Sequence, residues 1–579
     1  MEGDFDTRPQ RVEQWLAELP RANVGETTRQ LYRALNETNG LQLPAGQRFR
    51  VLELMRPVVH EMVQAMQKHF LGMHFPLPEK NRRIAALSRA LLNQMAIGYR
   101  IVVNDEARRP RLLRDGRALH VAAHRAMNYL SQTLRQSYLV YAPTPRGAWH
   151  ELHQLHFQCR ELQLERGRHP ALPGEFSAET VSGLYRQTLL LALVCPYRLR
   201  QEEMRWIEAR LAGCSEAARL LDPGSPGAEQ ALFVVLPESD DPPGYLALKK
   251  HLIDGGEYLL LDTSEMAAAF EQQDAGDDAV PPPRTTTVQR ALLAWGVMPK
   301  RRFSRRGLEA EAEVAMGLTA THHFLVHGGE AGCLADTGPA RFEASEPSST
   351  ETRDQPDVWE LAGTPRWHAD DEVRMVDLPE TFEIHPERIL GNDGEQPSRE
   401  KPETPAPLER WKMSDISAGG LRLLWENDHS SRAEVGELVG MVEQKANEQR
   451  PTLSIGVIRW MKCGESAGLE LGVEMIAPGA APIGARPAGS DSAYLPGLLL
   501  PELPAVHQPS TLVLTTLPFR LGDDVEICTG SGKNRVRLTH LLENTGGFAQ
   551  YEFEPCQQEG EGDETLPDES AFEDLWKSL

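Results

Sequence analysis

From the N-terminus to about residue 220, apolar residues recur at steps of three and four. Ile84, Leu87, Leu91 and Met95 form one such stripe. Val51, Leu52, Met55, Val59, Met62, Val63 and Met66 form another, with Pro57 as an expected kink. Leu184, Leu191 and Met204 to Ile207 continue the theme towards Leu220. Breakers at Asn39-Gly40, Phe75 to Pro78, Pro143 to Pro145 and Pro170 to Gly174 cut this stretch into separate helices. No fixed repeat period is present. Residues 1–222 are therefore expected to form an all-helical region, a bundle or an irregular solenoid.

The period changes near residue 225. Ala231 to Leu236 and Tyr258 to Leu261 are short apolar runs that read as strands, with a helix expected from Ser264 to Gln273. They suggest a small α/β module over 223–280. Pro281 to Pro283 forms a stiff spacer, and a helix is expected from Thr287 to Trp295. Beyond it Leu308, Ala310, Ala312, Val314 and Met316 alternate with Glu309, Glu311 and Glu313, the pattern of a half-buried strand. Leu421 to Leu424, Glu437 to Val442, Leu453 to Trp460 and Leu469 to Val473 continue it, and short strands between Gly turns predict a small antiparallel barrel within 281–478. Thr511 to Thr515, Val525 to Cys528, Arg535 to Leu538 and Ala549 to Phe553 predict a second β domain over 479–556. The fold class is multidomain α+β: an N-terminal all-helical region, a small antiparallel β-barrel, then a C-terminal β domain.

Two segments do not fit regular structure. Gly329 to Glu409 is rich in Glu, Asp, Pro, Ser and Thr, a composition that cannot offset its ordering entropy by burial. It is expected to be a disordered acidic insertion at 329–409, tolerable because loop-closure entropy grows only logarithmically with length. The tail 557–579 is also acidic. Its Phe572, Leu575, Trp576 and Leu579 lie at i, i+3, i+4 and i+7, which predicts a short amphipathic helix. So brief a helix would order only on a surface, another protein's or the chain's own barrel.

At 579 residues the chain is too long for one core. Its net charge of −23 argues against nucleic acid as the main partner, because phosphate binding needs a basic surface. Seven scattered cysteines without CxxC point to reduced thiols and no zinc site. The acidic start, MEGDFDTRPQ, is unlike a signal peptide, and the run Leu189 to Cys195 is too short to span a bilayer. A cytoplasmic location is expected, with no transmembrane segment.

Against this acidic background one basic cluster stands out, Lys300 to Arg306. It contains an RxxxR pair, Arg301 and Arg305, just before the alternating strand. Far downstream, Asp415, Ser417 and Gly420 form DxSxxG in a tight turn before another strand. Each motif alone has a plain reading, a solvated or nucleic-acid-binding basic patch and an ordinary turn. Together, in this order, they resemble the two ligand motifs of the PilZ domain, a family of bacterial cyclic di-GMP receptors. The runs GVIRW and LELGVEM are similar to its late strands. The resemblance covers about 297–330 and 405–478.

The chemistry agrees with what the resemblance implies. Guanidinium forks bind phosphate, pair with guanine O6 and N7, and stack on bases. An ionised Asp accepts from guanine N–H groups, and Gly permits close approach. By the resemblance, Arg301 and Arg305 grip the dinucleotide while Asp415, Ser417 and Gly420 form the opposing wall. The chain departs from the family in spacing, since 110 positions separate Arg305 from Asp415.

Other signals fall away. Gly530 to Asn534 lacks the Gly and Ser/Thr of a phosphate loop, and reads as a hairpin turn. His322, His323 and His327 lack a carboxylate or Cys at ligand spacing, and His323 and His327 are expected to flank a strand end. No catalytic constellation, and no run that makes or breaks the dinucleotide, is present. The expected function is a non-catalytic cyclic di-GMP receptor, without cofactor, that signals through its helical region to an unidentified protein partner. Flagellar, pilus, polysaccharide and chemotaxis machinery all stay open. The alternative is a scaffold whose barrel does not bind the dinucleotide.

Overall fold

The computed structural model describes residues 5–170, 178–253, 256–272, 285–296, 306–327, 409–417, 419–426, 431–443, 452–464, 468–504, 508–529 and 532–556. Arg301, Arg305, the expected insertion as far as residue 408, and the tail with its terminal helix lie outside them.

The N-terminal stripes form helices α1 (Pro9–Glu18), α2 (Val24–Gly40), α3 (Ala45–Gln67), α4 (Glu79–Arg108), α5 (Gly116–Leu139), α6 (Ala148–Glu161), α7 (Val181–Leu193) and α8 (Gln201–Cys214). Asn23, Asp115 and Thr180 cap α2, α5 and α7 by accepting the backbone N–H of Glu26, Ala118 and Gly183. The stripe of α3 is buried from Val51 to Met66, and α3 runs through Pro57 without ending. Gly98 lets α4 close on α2 and α3: a Cβ there would sit 2.8 Å from both Asn39 Oδ1 and Leu52 Cδ2.

The chain then forms β1 (Arg219–Leu221), β2 (Phe233–Val235), β3 (Gly244–Tyr245), the short α9 (Leu246–Lys249) and β4 (Leu259–Asp262), followed by α10 (Met266–Gln272). The sheet order is β1-β4-β2-β3. Leu220, expected to close the helical run, instead lies in β1 opposite Leu261. The sheet is fastened to α6 by Asp240, whose carboxylate accepts the N–H groups of Gly147, Trp149 and His150 at 2.6–3.2 Å. Helix α11 (Thr285–Ala294) follows, and Trp295 at its end is buried with its indole N–H on Leu190 O at 3.1 Å.

Two closed antiparallel barrels complete the described residues. The middle one contains β5 (Arg306–Met316), then helix α12 (Leu318–His327), β6 (Glu409–Ser417), β7 (Gly420–Trp425), β8 (Leu438–Glu443), β9 (Thr452–Cys463) and β10 (Leu469–Ala477). Its strand order is β10-β7-β6-β5-β8-β9. The second contains β11 (Ala481–Pro487), β12 (Leu495–Leu500), β13 (Thr511–Leu514), β14 (Asp524–Thr529), β15 (Gly532–Asn544) and β16 (Ala549–Pro555), ordered β11-β12-β13-β16-β15-β14. The stretch holding His322, His323 and His327 is helical rather than a strand end. Its helix is wedged between the barrels, where Leu318 and Leu325 share a core with Leu438, Val457, Leu498 and Phe548. Gly440 gives it room, since a Cβ there would meet Thr321 Cγ2 at 2.6 Å.

The segment 431–436 is where the parts meet. Ser431 Oγ donates to Phe75 O at 2.7 Å, and Phe75 bridges to Ala433. Arg200 Nε donates to Val435 O at 2.7 Å, and its Nη1 lies 3.3 Å from Glu434. At Gly436, φ +81°, a Cβ would lie 3.0 Å from Thr545 of the second barrel and 3.7 Å from Arg200 Nη2. Near the end of β9, Cys463 N donates to Tyr141 O of the helical region at 2.8 Å.

Candidate ligand-binding site on the middle barrel

In β6 the side chains alternate: Trp411 and Met413 point inward, 1% and 3% exposed, while Arg410 and Lys412 point out. Continued, that alternation would send Asp415 into the core. A bulge prevents it. Met413 pairs with Leu423 and Asp415 with Arg422, so Ser414 is an extra residue and Asp415 turns to the outer face. Asp415 and Ser417 therefore belong to the end of a strand, β6, rather than to a turn, and Gly420 opens β7.

Ser417 pairs with Gly420, and its Oγ donates to Gly420 O at 3.0 Å. Met475 N donates to Gly419 O at 3.2 Å, pinning the turn to β10. A Cβ at position 420 would collide with Val473 O, so the glycine is demanded by the crossing of β10.

Asp415 belongs to a row across four strands. It pairs with Arg422 on β7, Arg422 pairs with Gly472 on β10, and Gly472 pairs with Trp460 on β9. Arg422 Nη1 lies 3.9 Å from Asp415 Oδ2, and Nη2 lies 2.5 Å from Glu470 Oε2. The Trp460 indole fills the space above Gly472, where any Cβ would overlap it. Trp460 owes this placement to a second bulge: Gly472 pairs with Trp460 and Val473 with Ile458, leaving Arg459 without a partner in register. The face thus presents an acid, a guanidinium and an indole, groups suited to a polar aromatic ligand. Arg422 and Trp460 were legible in LRLL and GVIRW as the polar and aromatic positions of the outer face.

The strand that follows the other motif in sequence reaches the same corner. Arg306, the first residue of β5, pairs with Ile416, and Gly307 pairs with Asp415. Two stretches more than a hundred positions apart in sequence thereby meet across one ladder. At the far end of β6, Glu409 accepts the Trp411 indole N–H at 3.2 Å. Burial pushes its carboxyl up to about 7, against the lowering effect of that hydrogen bond and of Arg432.

A closed antiparallel barrel with an Arg pair ahead of its first strand in sequence, and DxSxxG running from the end of its second strand to the start of its third, is a PilZ domain. Residues 10–225 match the family described as Cyclic-di-GMP receptor FimW, N-terminal domain. Residues 232–482 match Cyclic-di-GMP receptor FimW, middle PilZ domain, and residues 481–556 match FimW C-terminal beta-barrel domain. Over 618 aligned positions the chain is 32% identical to the Cyclic-di-GMP receptor FimW of Pseudomonas aeruginosa, covering 99% of this chain and 96% of that protein. No solved structure matches it significantly. The chain belongs to the FimW family, whose descriptions name a receptor and no enzyme. Among the described residues no helix is long and apolar enough to cross a membrane.

Proposed function

We propose that this chain is a non-catalytic cytoplasmic receptor for cyclic di-GMP. Arg301 and Arg305 hold the dinucleotide phosphates and guanines, facing Asp415, Ser417 and Gly420. The observation that carries this reading is the pairing of Arg306 with Ile416. It supports an Arg pair that enters the barrel beside the DxSxxG hairpin, whatever the length of chain between them. Trp460 and Arg422 extend the same face and suit base stacking and a second contact to the ligand.

The output runs to a protein partner through the helical region, with the chain divided near 222, 280 and 478. Trp295 fastens α11 to Leu190, and Arg290 lies 3.2 Å from Arg198 O and 3.8 Å from Glu203. Nine residues separate Gly296 from Arg306, so a ligand gripped by Arg301 and Arg305 acts on chain that is tied to the helices.

Titration calorimetry with cyclic di-GMP tests the reading. Wild-type protein should bind, and Arg301→Ala or Arg305→Ala should weaken binding by about tenfold or more, since charge-assisted hydrogen bonds contribute about 1.5–3 kcal/mol each. A wild-type protein blind to the dinucleotide at high micromolar concentration refutes it. The rival reading, a scaffold that does not bind, is favoured by Arg422 already lying against Asp415. Excising 329–408 separates the two: binding gained only after excision supports the scaffold or a gated receptor.

A further inference from the structure

The hairpin of α4 and α5 ends in a turn with an unusual surface. Arg111–Leu113 is a single 3₁₀ turn, and all three of its side chains are exposed among the described residues. Leu112 is 99% exposed and Leu113 69%; among the large apolar side chains of the described residues only Leu517, at 72%, ranks between them. Exposed arginines surround them: Arg108 at the end of α4, Arg109, Arg111, and Arg117 at the start of α5. Arg109 pairs with Glu106 at 2.8 Å, and Arg114 is spent on the carbonyls of Ala107 and Arg109 that end α4. Arg108, Arg111 and Arg117 make no ion pair among the described residues.

The basic surface extends sideways. A Cβ at Gly167 would lie 3.0 Å from Nδ1 of His120, one turn into α5, so exposed Arg166 and Arg168 flank the same end of the hairpin. The whole of residues 1–222 carries 31 Lys and Arg against 23 Asp and Glu, a net +8 in a chain of net −23. The helical region is thus net positive in an acidic chain, and several of its exposed arginines stand around two bare leucines.

The tip also points away from the barrel. The Phe75 bridge to Ala433 lies just before α4, and Tyr141, which accepts from Cys463, lies just after α5. Thirty residues of α4 separate that end from the tip, about 45 Å at 1.5 Å per residue.

We propose that this tip is a peripheral docking site for an anionic lipid surface. Leu112 and Leu113 enter the acyl boundary while Arg108, Arg111, Arg117 and Arg166 lie among the headgroup phosphates. The chemistry fits both halves of a bilayer interface: guanidinium groups pair with phosphate and keep their charge at headgroup depth, and isolated leucines gain by leaving water. A protruding turn favours this occupant over a protein. A folded partner would need a matching hollow ringed with acid, whereas a bilayer accommodates a convex tip of any shape. The local charge gives the acidic chain one orientation in which it approaches such a surface, with the barrel facing away.

Co-sedimentation of the full chain with vesicles tests this. The protein should pellet with vesicles of phosphatidylcholine mixed with phosphatidylglycerol, and little with phosphatidylcholine alone. Leu112→Ser with Leu113→Ser should lower partitioning about tenfold or more. Arg111→Glu with Arg117→Glu should remove the preference for the anionic lipid. None of these side chains supports the fold, so thermal unfolding should match wild type and verify that the variants are intact. Equal pelleting with both vesicle types, pelleting unchanged by the leucine pair, or no pelleting at all overturns the proposal. The last outcome would leave an acidic protein as the occupant of the tip.

Discussion

Arg459 on β9 and Glu543 on β15 join the two barrels at two points, Nη2 to Oε2 at 2.9 Å and Nη1 to Oε1. Both stand at bulges. Arg459 is the unpaired residue between Ile458 and Trp460, and Glu543 follows Leu542, which is unpaired between Leu541 and Glu543 on β15. Arg459 also reaches Glu474 at 2.5 Å. Desolvation opposes its charge, but the two carboxylates outweigh it and hold its pKa above the ordinary arginine value.

Arg459→Ala should therefore destabilise the chain by about 2 kcal/mol, the scale for a lost charged hydrogen bond that leaves a carboxylate without its partner. Glu543→Gln should cost less, and a double-mutant cycle should return a coupling of about 1 kcal/mol or more. Urea unfolding followed by circular dichroism gives these values. Additive single effects would show that the clamp contributes nothing.

Gly420→Ala should be among the most damaging changes on the barrel, because the new methyl meets the Val473 carbonyl rather than a movable side chain. A loss of about 2 kcal/mol or more is expected. Gly489→Ala makes a comparison without a clash, since nothing lies within 4 Å of its Cβ, although its φ of +76° carries a backbone cost.

Asp415→Asn separates a ligand role from a structural one. Its contact with Arg422 is long, so thermal unfolding should shift by less than about 1 kcal/mol. Affinity for cyclic di-GMP should nonetheless fall by about tenfold, because an amide offers one acceptor where the carboxylate offers two. A large stability loss with unchanged affinity would assign Asp415 to the barrel and not to the ligand.

Glu409 predicts a pH effect of definite sign. Its carboxyl titrates near 7 when folded and near the ordinary 4.5 when unfolded. Between those values the folded state binds more protons than the unfolded one, so the contribution of this group to stability falls as pH rises from about 4.5 to about 7. Unfolding of wild type and Glu409→Gln at pH 5 and pH 8 should show the difference between them shifting against wild type at the higher pH. A constant difference would mean that Glu409 titrates normally.

The long apolar stripes and the clean alternations made most of the architecture readable. Val51 to Met66 and Leu308 to Met316 state their period outright, since apolar residues keep to one face, buried from Val51 to Met66 in the first and at Ala312 and Val314 in the second. Glu409 to Ser417 was missed as a strand because only Trp411 and Met413 mark its inner face, and the bulge at Ser414 breaks the rhythm before a third can appear. The strands Ala481–Pro487 and Leu495–Leu500 were hidden by Pro482, Pro487 and Pro496, residues that normally argue against a strand. At the site, the types of Asp415, Ser417 and Gly420 were legible, but not their duties within the barrel. That Gly420 yields to β10, and that Arg422 and Trp460 share the row of Asp415, depends on pairings between strands distant in sequence.

The bulge at Arg459 also bears on how this architecture can change over evolutionary time. Remove that one residue and β9 would run as a regular ladder, Ile458 followed directly by Trp460 opposite Gly472, and only the reach to Glu543 would be lost. The second barrel answers with an irregularity of its own at the matching height. The two barrels are consequently not interchangeable parts. A substitute of identical topology but regular strands would offer nothing in the place of Glu543, and would leave Arg459 to Glu474 of its own barrel.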